Sequence, residues 1–156
     1  MGAFEIEEVT GDKKRHLDLL LLADEQEDMI DRYLERGCVF VLRAQGEVAA
    51  QCVVTDEGVS DGARVLELKN IATEPCWQRH GCGRALITFV ERTFAPTFDV
   101  LRVGTGDSPL TIPFYESCGF TRAFSIPRFF LDHYDHPIFE GGVQLVDMVY
   151  LEKPHG

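Results

Sequence analysis

The sequence predicts one α/β (α+β) domain, a mixed central sheet with helices on both faces, and three observations carry that expectation. Residues 65–94 read as strand, glycine turn and helix. An apolar, β-branched run ends before Pro75, glycines stand at 81 and 83, and Cys82, Ala85, Leu86, Phe89, Val90 and Phe94 then recur at helical spacing. Strand and helix patterns follow the order βααβββαβαβ…β, which calls for a sheet covered by helices. The 156 residues are 45% hydrophobic, enough for one core, and no repeat or low-complexity tract divides them, so residues 1–156 are read as a single domain.

Each element has a local reason. Phe4, Ile6 and Val9 alternate with Glu5 and Glu7 as a first strand, broken at residues 10–12. Residues 14–22 form a leucine-rich helix. Asp24 is placed to cap a second helix, with Glu27 three positions on, and Met29, Ile30, Tyr33 and Leu34 share one face of it. Gly37 ends that helix. Residues 38–44 and 47–55 read as a hairpin turning at Gln45-Gly46, and residues 56–62 as a polar, mobile loop. A strand over 64–73 leads into the glycine turn and the helix, which Pro96 stops. A strand over 99–105 follows, and Ser108-Pro109 then opens a short helix ended by Gly119. Residues 121–126 are a strand, 129–140 an aromatic segment, and 143–151 the last strand after the Gly141-Gly142 turn.

Charge and cysteines narrow the function. The net charge of −11 argues against a nucleic-acid partner, whose phosphates need a basic surface, and suits a cationic substrate or plain solubility. Cys38, Cys52, Cys76, Cys82 and Cys118 are odd in number and form no C-x-x-C pair, as in a reduced chain. No secretory signal or myristoylation pattern is visible at the start, and the run Leu19–Leu22 is far too short to span a membrane. A cytoplasmic protein without membrane contact is the expectation.

The turn Gln78-Arg79-His80-Gly81-Cys82-Gly83 suits an anion. Glycines let the backbone approach, a helix N-terminus offers free N–H groups and a positive dipole end, and Gln78, Arg79 and Arg84 add donors. No Lys-Ser/Thr follows Gly83 and no acidic residue fits a dinucleotide fingerprint, which disfavours a nucleotide site built on the turn alone. Gln78-x-x-Gly81-x-Gly83, preceded by Thr73-Glu74-Pro75-Cys76-Trp77, resembles motif A of the GCN5-related N-acetyltransferase (GNAT) superfamily, with Thr73 where Val is commoner. Phe114-Tyr115-Glu116-Ser117-Cys118-Gly119-Phe120 resembles its motif B.

The resemblance implies the GNAT fold, its sheet splayed to hold acetyl-coenzyme A, and acetyl transfer to a primary amine by direct attack in a ternary complex. It implies cofactor contacts from Ile71, Ala72, Thr73, Gln78, Arg79, His80, Gly81, Cys82, Gly83 and Arg84. The Ile71 N–H faces the thioester carbonyl in that scheme. Ser108 and Thr111 stand where the family more often has Asn and Ala, so Gly104 and Gly106 are alternative points of close approach. Tyr115 falls on the family's acid, which protonates the departing thiolate.

Glu67 is the candidate base. It stands fourteen residues before Gly81 and is read on one strand face with Lys69, Ile71 and Thr73; a salt bridge to Lys69 or an arginine is the competing role. Glu67 and Tyr33 are the expected acceptor-side residues. The acceptor is a small-molecule or peptide amine. Phe129, Phe130, Tyr134 and Phe139 suit its pocket or a homodimer contact. His133, Asp135 and His136 lack a metal-site pattern, so no metal is expected. A noncatalytic acyl-coenzyme A sensor on the same fold is the alternative function.

Overall fold

The computed structural model describes residues 4–155. In chain order the elements are β1 (Phe4–Val9), α1 (Leu17–Ala23), α2 (Glu27–Ile30), β2 (Cys38–Ala44), β3 (Glu47–Ser60), β4 (Ala63–Thr73), α3 (Cys82–Thr93), β5 (Val100–Gly106), α4 (Ile112–Ser117), β6 (Thr121–Ile126), α5 (Phe129–His133), β7 (Phe139–Glu140), β8 (Val143–Gln144) and β9 (Met148–Pro154). Seven strands form one mixed sheet in the order β1-β2-β3-β4-β5-β9-β6, and β7-β8 make a separate hairpin.

Alternation sorts the strands' side chains into two cores. On β2, Phe40 and Leu42 face one side with Leu86, Ile87 and Val90 of α3. Val39 and Val41 face the other with Leu20 of α1, Ile30 of α2, and Tyr33 and Leu34 of the turns after it. Period-2 strands between two amphipathic layers require this division. A third, smaller cluster joins Phe130, Ile138 and Leu145 beside β9.

Only β4 and β5 run parallel, and they pair for just four residues, Val65↔Val100 to Leu68↔Val103. Beyond Leu68 the edge of β4 toward β5 has no strand partner among the described residues, while β5 continues along β9 as far as Gly106↔Met148. The sheet therefore opens at Lys69 and Gly104. A bulge marks the spot: Val53 pairs with Asn70 but Val54 with Leu68, so Lys69 is the extra residue.

Several expectations change here. The bulge flips the strand's alternation, so Glu67 shares its face with Asn70, and Ile71 and Thr73 lie on the opposite face; one inserted residue moves every later side chain across the sheet. Residues 56–62 are no loose loop, because β3 and β4 pair out to Ser60↔Ala63 around Asp61-Gly62. The last strand is two elements, β8 and β9, since Val143 and Gln144 pair back onto β7. Asp24 does not cap the second helix, whose N-cap is Gln26; it ends α1 instead, its N–H donating to the Leu20 carbonyl. Gly104 and Gly106 sit in β5 and not in a loop; a Cβ there would meet Tyr150 at 2.8 Å and Leu145 at 2.5 Å, and both residues also line the cavity that opens between β4 and β5.

Candidate active site

The opening between β4 and β5 is the mouth of a cavity of about 340 Å³. Its floor is Leu68–Thr73 of β4 and Val103–Gly106 of β5. Tyr115 of α4 enters from one side, and Asp24, Phe130, Tyr134 and Glu140 close another. The free edge of β4 offers alternate N–H and C=O groups to whatever lies along residues 69–73.

Past Gln78, which lines the cavity, the glycine turn lies outside it. Arg79 (φ 66°) and Gly81 (φ 85°) both take left-handed backbone, which curls the chain ahead of α3. Among the described residues, the N–H groups of residues 79–84 find no backbone acceptor, and the first following bond is Ala85 N–H to the Gly81 carbonyl at 3.0 Å. The result is a cup of donors at the positive end of a 12-residue helix, built for an anion.

Cys82 contributes only backbone to this cup, its side chain being buried in the core. Gly83 is needed bare because a Cβ there would stand 3.1 Å from the Phe114 ring. Two side chains expected to reach an anion are engaged elsewhere. Arg84 donates to the Ser117 carbonyl (3.2 Å) and Oγ (2.9 Å), and Gln78 donates to the Thr73 carbonyl (3.3 Å). Arg79 and His80 are exposed, with the His80 ring 5.4 Å from that of Trp77.

Ile71, Ala72, Thr73, Gln78 and Tyr115 therefore meet on one cavity. Tyr115 is buried edge-to-face between Phe114 and Phe120, at 5.3 and 5.8 Å. Burial, with a smaller push from Glu140, raises its phenol well above the ordinary value, so it is protonated at neutral pH.

Glu67, Tyr33 and Ser108 are not on the cavity surface, and each stands one contact behind a residue that is. Glu67, buried, pairs with Lys69 at 3.1 Å. Burial raises its carboxyl and Lys69 opposes that rise. Tyr33 donates to Asp24 Oδ2 at 3.0 Å. Ser108 donates to Glu140 Oε1 at 3.3 Å and its Oγ accepts from Leu110 N–H, so it organises the loop before α4 instead of capping that helix directly.

The wall residues missed by sequence reasoning are Asp24, Lys69, Asn70 and Glu140. Asp24 accepts from the hydroxyls of both Tyr33 and Tyr134, the latter at 2.7 Å. Asn70 donates to Tyr33 Oη (3.1 Å) and the Leu20 carbonyl (3.0 Å), and accepts from the buried Gln51 amide. This chain of bonds runs from the sheet to the cavity wall. Burial raises the carboxyls of Asp24 and Glu140. The His133, Asp135, His136 group has ordinary employment: His136 bridges Asp135 and Glu25, at 2.6 and 2.8 Å.

Comparison with known proteins places this arrangement. The family model for the acetyltransferase (GNAT) domain matches residues 35–122, which hold the opened sheet, the glycine turn and Tyr115. The chain is 37% identical over 149 residues to the uncharacterized N-acetyltransferase YvbK of Bacillus subtilis (strain 168), covering 94% of this chain and 92% of that one. Two crystal structures superpose closely. A GNAT family acetyltransferase from Elizabethkingia anophelis with acetyl-CoA bound has a TM-score of 0.88 at 29% identity, over 97% of each chain. A Bacillus subtilis acetyltransferase in complex with CoA has 0.85 at 34% identity, over 97% of this chain and 99% of that one. With a model matched over more than half its length and a relative this similar, the chain belongs to the GNAT acetyltransferase family.

Proposed function

We propose that this protein transfers the acetyl group of acetyl-coenzyme A to a primary amine, by direct attack of the amine on the thioester within a ternary complex. The observation that carries the reading is the opening of β4 from β5 after Leu68, with Tyr115 on the resulting cavity and the N–H cup of residues 79–84 outside it. A molecule with an anionic end in the cup and a thioester in the opening matches that layout; acetyl-CoA, bound in one of the two crystal structures, is of this kind, and CoA, bound in the other, is what remains of it after acetyl transfer.

In this reading the pyrophosphate takes the N–H groups of residues 79–84, helped by Arg79 and His80, and by Gln78 and Arg84 when they exchange their Thr73 and Ser117 partners for it. Cys82 and Gly83 contribute backbone alone. The pantetheine arm lies along the free edge at Ile71, Ala72 and Thr73, and Ser108 shapes the loop beyond it. The acceptor arrives as an ammonium and must lose a proton before it attacks. Glu67 is the proton acceptor; from behind Lys69 it reaches the amine through an intervening water. Attack on the carbonyl carbon forms the C–N bond and breaks the C–S bond. The leaving thiolate takes the Tyr115 proton, which a phenol kept protonated by burial can supply, and the proton that the acylated nitrogen then sheds restores the phenol.

The test is thiol release from acetyl-coenzyme A over a panel of amines, polyamines, aminoglycosides and peptides, run beside Tyr115→Phe. The variant keeps the ring and removes the proton. Turnover should fall by about 10² to 10⁴, with coenzyme A affinity near wild type. Unchanged turnover with chemistry rate-limiting would assign Tyr115 to packing alone. Binding of coenzyme A without thiol release from any acceptor would sink the enzymatic reading.

A further inference from the structure

We propose that Asp24 anchors a second positive charge on the acceptor, so that the acceptor carries a cationic group besides the nitrogen that is acetylated. This rests on the acetyltransferase reading for what enters the cavity. The starting point is a carboxylate without a cation. Asp24 lies on the cavity wall, largely withdrawn from water, and among the described residues no lysine, arginine or histidine pairs with it. Glu67 is matched by Lys69 and Glu25 by His136, whereas Glu140, the other wall carboxylate without a cation among the described residues, accepts from Ser108. A charge taken out of water without a partner is costly, and one that faces a cavity can find its partner in the ligand.

The surroundings of Asp24 favour binding over proton transfer. Both its oxygens accept phenol protons, from Tyr33 and Tyr134. Such bonds stabilise the anion and oppose the rise in proton affinity that burial gives it. They also fix it in place, because Tyr33 is held by Asn70, which is held by Gln51 and the Leu20 carbonyl. A carboxylate held this way keeps an ammonium protonated, and a protonated nitrogen cannot attack. The group at Asp24 is therefore not the reacting amine.

Position agrees. Glu140 sits against Ser108 in the loop that leads into α4 and Tyr115, whereas Asp24, just after α1, sits with Tyr33 and Tyr134. Asp24, Tyr134 and Glu140 also all lie outside residues 35–122, the part that matches the shared family model. The reacting centre is common to the family, and this anchor belongs to the flanking segments.

The experiment is calorimetry with coenzyme A present, titrating α,ω-diaminoalkanes of three to eight carbons and the matching monoalkylamines into wild type and Asp24→Asn. At least one diamine should bind wild type roughly tenfold or more tighter than its monoamine. Asp24→Asn, with its coenzyme A affinity confirming a folded protein, should bring the pair within about threefold. Tyr134→Phe keeps the carboxylate and removes one of its two phenol donors, so the preference should persist in weakened form. Equal binding of diamine and monoamine at every length, or a preference that survives Asp24→Asn, overturns the proposal. Thiol release with the same amines separates the two readings. Turnover with no diamine preference removes Asp24 and leaves the transferase, whereas preferential diamine binding without turnover does the reverse.

Discussion

Glu67 illustrates how one inserted residue changes a side chain's prospects. Because Lys69 bulges out of the β3–β4 ladder, Glu67 faces the same side as Asn70, and the lysine comes between the carboxylate and the cavity. Removing its charge has two separable consequences. Glu67→Gln leaves the Lys69 ammonium, 21% exposed, without its partner but also relieves a desolvated carboxylate, so its stability stays within about 1 kcal/mol of wild type. If Glu67 also accepts the amine's proton through water, turnover at neutral pH falls while coenzyme A affinity stays near wild type. The rise of rate with pH then shifts or disappears. We expect both outcomes, read by urea unfolding and by the pH–rate profile. A wild-type profile in the variant would leave Glu67 as Lys69's counter-ion and nothing more.

At the scale of the element, the short helix carrying Tyr115 is located by the longer one that forms the anion cup. Phe114 packs over Gly83, the second residue of α3, with only 3.1 Å to spare for a Cβ. Gly83→Val therefore does more than crowd the cup. It pushes the ring next to Tyr115, and we expect a loss of about 1–3 kcal/mol in stability together with weaker coenzyme A binding and slower turnover. Gly81→Ala meets nothing within 4 Å, but its φ of 85° disfavours any side chain, so its cost should stay near 1 kcal/mol, with Tyr115 undisturbed. Turnover that falls equally in both variants would undo the claim that α3 positions α4.

The unit containing this contact was legible in the sequence because its signals are local: a proline stop, two glycines, a helical period, and a tyrosine in a recognisable setting. The acceptor wall was not legible. Asp24 followed by Glu27 has the spacing of a capping box, and only the arrival of Tyr134, 110 residues away, turns it into a cavity carboxylate. Glu140 looked like the end of an aromatic run, and the bulge at Lys69 leaves no mark on the strand's own pattern.

The whole molecule places three carboxyls whose affinity for protons burial has increased, Asp24, Glu67 and Glu140, at or just behind one cavity. A carboxyl whose folded-state pKa is raised binds its proton more tightly when folded. Its contribution to stability is full below the ordinary value, 3.8 for Asp24, and is lost as pH rises through the folded value. The ligand-free protein therefore carries these groups at a disadvantage at neutral pH, a burden that an active site can impose on its own scaffold.

Asp24→Asn isolates one member. Its charged neighbour is Asp28, whose repulsion adds to the effect of burial, while the Tyr33 and Tyr134 hydroxyls oppose it. At the acid end, as Asp24 takes up its proton, it and an asparagine become nearly equivalent, and the two proteins should unfold at similar temperatures. Toward pH 8 the wild type must hold a desolvated charge and the variant need not, so the variant should become the more stable of the two. A saturating diamine supplies the missing cation and should narrow that gap by stabilising the wild type alone. Thermal unfolding from pH 4 to pH 8, with and without the diamine, measures this directly. A pH-independent difference between the two proteins would mean that the phenols alone satisfy the charge, and that Asp24 needs no cation from the acceptor.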